Sequence, residues 1–133
     1  MRVIYDGETA LAVVHKKNDW KEGLDFLTEN ESFIQVGTWW YNKGKKLAMH
    51  SHKEYVREAK LTQEIVFVVE GSMIANILNS KLELIESVEL QQGDLAIMLD
   101  GAHGYQILEN NTKIVEAKNG PFISVDKDKI KYE

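Results

Sequence analysis

The chain has 133 residues, 44% hydrophobic and 28% charged, a formal net charge of -5 at pH 7 and no cysteine. That length suits one globular domain with a sizeable core rather than two. The acidic balance argues against nucleic acid or an anionic membrane as the main partner, and the lack of cysteine excludes disulfides, thiolate metal sites and cysteine nucleophiles.

No run approaches the roughly 20 apolar residues of a membrane span, and the first residues carry no apolar segment of signal-peptide length. A soluble cytoplasmic protein is expected. Residues 9–14 read as a strand. His15 follows in Ala12-Val13-Val14-His15-Lys16-Lys17 without a partner motif and reads as a surface or packing histidine. Asp19-Trp20-Lys21-Glu22 opens a helix capped by Asn18 or Asp19, which Gly23 weakens. Residues 1–32 form an N-terminal extension that packs on the domain through Trp20, Leu24 and Phe26.

From residue 33 the pattern changes to short strands rich in Val, Ile, Phe, Tyr and Trp, over 33–41, 64–70, 73–79, 82–90, 95–99, 103–108 and 112–117. Turn residues separate them, among them Gly71, Gly93, Gly101 and Asn110-Asn111. Such spacing marks an all-β sandwich or barrel over 33–121. Residues 82–90 alternate and are expected half-exposed, whereas Ile65-Val66-Phe67-Val68-Val69 is apolar on both faces. Residues 122–133 form a tail that alternates in charge from Asp126 and reads as a solvated end, though Ile130 and Tyr132 could dock as an edge strand. Trp39, Trp40 and Tyr41 alternate across one strand; the inward member fills the core or offers a sugar-stacking platform.

The residues that carry chemistry are His50 and His52, Glu64 seven positions before Gly71, and His103 ten residues after Gly93. Imidazoles two apart on a strand point to the same side. With Glu64 and His103 they make a set of three nitrogens and one oxygen, which suits zinc or a first-row transition metal better than calcium or magnesium. Only one of Gln63 and Glu64 can face inward. If Glu64 does, Val66 and Val68 follow it, and Ile65, Phe67 and Val69 form an outward stripe. That stripe must be covered by the extension or by a second subunit, so a homodimer is expected.

These residues resemble the cupin superfamily of small β-barrels. Gly44, His50, His52, Glu64 and Gly71 answer its first motif, and Gly93, Leu99, Gly101 and His103 its second. The chain departs from the family in three places. Eleven residues separate His52 from Glu64, Leu99 stands for the motif proline, and one residue rather than two separates Gly101 from His103. The resemblance implies an all-β, cupin-type double-stranded β-helix (a jelly-roll barrel) with one divalent transition metal, iron, manganese, nickel or zinc, on His50, His52, Glu64 and His103. It also implies a loop over 53–62 above the barrel mouth. Thr62-Gln63-Glu64 and Gly101-Ala102-His103-Gly104-Tyr105 are similar to small cupins found beside surface-polysaccharide and sugar-nucleotide genes.

Tyr105 shares strand parity with His103 and is expected to handle a proton or orient a substrate. Arg57, with Lys53 and Lys60, is placed to clamp a phosphate or carboxylate, although Glu54 and Glu58 also suit a solvated loop. The expected function is that of a metal-dependent isomerase or epimerase acting on a sugar or sugar phosphate, with an iron(II) dioxygenase as a second enzyme reading. The competing class is a non-catalytic module that anchors a small ligand through its metal.

Overall fold

The computed structural model describes residues 1–132. Ten strands follow in chain order: β1 (Arg2–Asp6), β2 (Thr9–His15), β3 (Gly23–Phe26), β4 (Gly37–Trp40), β5 (Glu64–Glu70), β6 (Ser72–Leu78), β7 (Leu84–Gln91), β8 (Leu95–Met98), β9 (Ala102–Ile107) and β10 (Lys113–Lys118). The fold is all-β. A five-stranded sheet runs β1-β2-β8-β5-β10, a three-stranded sheet runs β7-β6-β9, and β3 and β4 pair by themselves; every pairing is antiparallel. The architecture is jelly-roll-like, as expected, and no ladder among the described residues joins the sheets into a closed barrel.

Two apolar clusters, one on each face of the large sheet, hold these layers together. Across the sheet, Val14, Ala96 and Val66 stand in register and so do Val13, Ile97 and Ile65. Strand alternation sends the first row to one face and the second to the other. The first row meets Met73, Ala75 and Ile77 of β6 and Val88 and Leu90 of β7. The second row, with Leu95, is covered by Leu27 and Val36, with Val3, Ile34 and Phe67 packed against it. Val3 and Leu27 of the extension, with Ile34 and Val36 just beyond it, therefore cover Ile65 and Phe67 from within the same chain, while Val69 stays 42% exposed. Each fully buried Val, Leu or Ile stabilises the fold by roughly 1.5–3 kcal/mol relative to exposure.

Several expectations are corrected. The helix at residue 19 is a single 3-10 turn, Lys17–Asp19. Trp20 leaves the helical region with ψ 138, and the chain then enters β3, where Leu24 and Phe26 alternate with Gly23 and Asp25. The strand over 33–41 shrinks to β4, because the backbone N–H groups of Phe33 and Ile34 donate to the Gln63 side chain instead of a ladder. β1 went unforeseen. The tail forms a short helix, Val125–Asp128, capped by Ser124, rather than an edge strand; Glu133 lies outside the described residues.

Two motif glycines have a packing reason. Gly71 has φ 85 and a Cβ there would collide with Thr112 Oγ1; Gly101 has φ 72 and a Cβ there would collide with the carbonyl oxygen of Leu78. Only glycine takes those backbone angles without strain and leaves that space free.

Candidate metal and proton-transfer site

β5 opens the site. Gln63 and Glu64 stand at its start and point to opposite faces, as alternation demands. Gln63 Oε1 accepts the backbone N–H groups of Phe33 (2.8 Å) and Ile34 (3.1 Å), and its Nε2 donates to the Leu99 carbonyl at 3.2 Å. It is a tie between the segment that precedes β4 and the sheet. Glu64 therefore turns inward, where it is 5% exposed.

β9 brings the partners. Its ladder with β6 pairs His103 with Ile77 and Tyr105 with Ala75, so both side chains face the large sheet. His103 Nε2 lies 2.7 Å from Glu64 Oε1, and the Tyr105 hydroxyl donates to the same oxygen at 2.9 Å. On β10, Lys118 pairs with Glu64 in the ladder. Its Nζ is 3.9 Å from Glu64 Oε2 and 2.8 Å from Glu116 Oε1. The result is a hydrogen-bonded cluster in which the His103 side chain is 31% exposed and that of Glu64 7%.

The charges follow from the contacts. Burial opposes ionisation of Glu64, but the hydrogen bonds from His103 and Tyr105 and the nearby charges of His103 and Lys118 outweigh it. The carboxyl is held below its usual range. Burial, reinforced by the Glu64 charge, pushes the Tyr105 phenol upward, so its hydroxyl stays protonated at neutral pH. The hydrogen bond to Glu116 raises the Lys118 ammonium against the effect of burial, and the Glu64 charge adds to it.

The other expected residues lie elsewhere. His50 and His52 are exposed in a stretch without a ladder, rather than on a strand. Their rings meet edge to face with centroids 5.2 Å apart, and His50 Nδ1 is 3.0 Å from the Ala48 carbonyl. Among the described residues no three His, Asp or Glu side chains come together as a metal site. The four expected ligands thus form two pairs, Glu64 with His103 and His50 with His52. Arg57 packs its guanidinium 3.9 Å from the centroid of the Tyr55 ring and takes no part in the Glu64 cluster.

Lys118 and Glu116 were missed by sequence reasoning. Their signal was strand parity on β10, but only the register with β5 ties that parity to Glu64. His15 is fully buried, edge-on to Trp20 at 6.0 Å between centroids, so its packing reading holds and its surface reading falls.

Comparison of the chain with protein-family models, with curated proteins and with solved structures returns no match.

Proposed function

We propose that the chain is an enzyme that moves a proton on a small polar substrate, as an isomerase or epimerase of a sugar or sugar phosphate does. The observation that carries this reading is the shared Glu64 oxygen, which holds the His103 imidazole at 2.7 Å and the Tyr105 hydroxyl at 2.9 Å. An imidazole that donates its Nε2 proton to Glu64 has Nδ1 as its remaining, basic nitrogen. His103 takes the proton from a hydroxyl-bearing carbon beside a carbonyl, giving an enediolate, and the ionised Glu64 stabilises the imidazolium, whose proton exchanges with solvent. The imidazolium then protonates the former carbonyl carbon while the hydroxyl proton passes to the former carbonyl oxygen, which interchanges aldose and ketose. No oxidant or reductant is needed. Tyr105 acts through Glu64: its hydroxyl fixes the carboxylate, which makes it a positioning residue.

A metal is the second reading, favoured by the adjacency of His50 and His52 and of Glu64 and His103. The donor types suit iron, manganese, nickel or zinc. Their placement as two separate pairs does not fit one ion, and a loaded form requires the stretch before Glu64 to carry His50 and His52 to the other pair. Elemental analysis after supplementation with these metals tests this reading. It expects about one equivalent in the wild type, lost in His50→Ala; a metal-free wild type removes it.

The enzyme reading is tested by a panel of sugar phosphates and sugar nucleotides followed by NMR. Conversion is expected, with His103→Ala slowing it about 10²–10⁴-fold, the usual contribution of a general base. Tyr105→Phe should slow it less and displace the pH profile toward that of an enzyme with a less ordered Glu64. Saturable binding without conversion would point to the non-catalytic module instead.

A further inference from the structure

A cavity lies at the end of the β3–β4 ladder, lined by none of the Glu64 cluster. It begins with a glycine. Gly23 is the direct cross-strand partner of Trp40, and residues directly opposite share one face of the pair. A glycine there leaves the indole without the neighbour that any other residue would supply. A Cβ on Gly23 would have nothing within 4 Å, and its φ of 86 is one that glycine adopts without strain. Trp40 is accordingly 47% exposed.

Beyond β4 the chain turns back, the Lys45 N–H donating to the Asn42 carbonyl at 3.2 Å. The turn sets Asn42, Lys43 and Lys45 beside Trp40 and Tyr41, with Lys45 Nζ 5.3 Å from the Tyr41 ring centroid. Together with Glu22 they line a cavity of about 300 Å³, at the small end of the roughly 300–1,000 Å³ of ligand pockets.

The lining names a ligand chemistry. An open indole face takes the flat C–H face of a sugar ring. The Glu22 carboxylate and the Asn42 amide offer acceptors and donors to ring hydroxyls. Among the described residues neither Lys43 nor Lys45 is in an ion pair. Two ammonium groups against one carboxylate favour an anionic substituent on that ring.

We propose that this cavity is a binding site for an acidic saccharide, whose ring lies on Trp40 and whose carboxylate meets Lys43 and Lys45. It is separate from the Glu64 cluster and stands whether or not that cluster is catalytic.

The test titrates the ¹⁵N-labelled protein with glucuronate and, in parallel, with glucose, reading the indole N–H signals of Trp20, Trp39 and Trp40. Glucuronate should shift the Trp40 signal saturably with a Kd of order 1 mM, while Trp20 stays still. The Asn42 side-chain amide should follow the same curve, and Trp40→Ala should abolish that response. Lys43→Gln with Lys45→Gln should weaken glucuronate about tenfold, as expected for the loss of charge-assisted contacts, without affecting glucose. Unmoved Trp20 and Trp39 signals in the free variants show that each is folded. The proposal is overturned if glucuronate gives no saturable shift, if Trp40→Ala leaves the Asn42 response intact, or if glucose binds the wild type as tightly as glucuronate.

Discussion

His15 sits fully buried with neither ring nitrogen bonded to any described residue. Burial lowers its pKa, so the ring stays neutral in the folded chain. An unsatisfied buried polar group costs about 1–3 kcal/mol, and replacing it with an apolar group of similar shape relieves that cost. His15→Leu should therefore raise the melting temperature, by roughly 2–8 °C for each kcal/mol relieved; calorimetry showing a fall would contradict the assignment. Glu64 gives the opposite kind of dependence. Its carboxyl is lowered in the fold against about 4.3 in an unfolded chain. Its contribution to stability is thus present at neutral pH and is lost as the pH falls through the folded value. Urea midpoints measured from neutral pH down to about pH 3 should slope less steeply in Glu64→Gln; the same slope in both proteins would show that the Glu64 contacts are not formed. The choice between Gln63 and Glu64 was open in the sequence because alternation fixes only that they differ. The Gln63 bonds to Phe33 and Ile34 decide it, and these are contacts across about thirty residues that no local pattern displays.

At the scale of elements, period-two patterns were legible wherever a strand has one covered face. The runs that begin at residues 64, 73, 82, 95, 103 and 112 all became strands, displaced by two residues or fewer at either end. Two misses share a cause. The helix at residue 19 and the long strand at residue 33 give way because the chain there bonds to the Gln63 side chain or enters the short ladder of β3 with β4. The stretch carrying His50 and His52 buries no residue between 41 and 62, and its motif spacing alone did not make it a strand. The extension is nonetheless part of the core. Leu27 is 3% exposed and belongs to the cluster of Ile97 and Leu95. Leu27→Ala should cost about 2–5 kcal/mol, as cavity-forming changes in cores do. A denaturant midpoint within error of the wild type would show the extension to be an appendage.

For the whole molecule, the case for a dimer has moved. Ile65 and Phe67 are covered from within the chain, but Leu24, Phe26 and Trp39 stand 49%, 51% and 60% exposed on one face of the β3–β4 ladder. A homodimer through that face is proposed. Light scattering should give about twice the 15.2 kDa of one chain, and Trp39→Glu should return it to a single chain; a wild type at the mass of one chain rules the dimer out. The Glu64 cluster was half visible in the sequence. Glu64, His103 and Tyr105 could be read from motif and parity, while Lys118 and Glu116 required the pairing of β10 with β5. The central claim is that His103, backed by Glu64, removes a proton from carbon. The most direct test is hydrogen exchange in D₂O, with sugar phosphates and keto sugars followed by ¹H NMR. The wild type should exchange the hydrogen beside the carbonyl of at least one of them, and His103→Ala should abolish the exchange while leaving the fold intact. Exchange by the wild type of none of these compounds, or unchanged exchange by His103→Ala, would contradict the account.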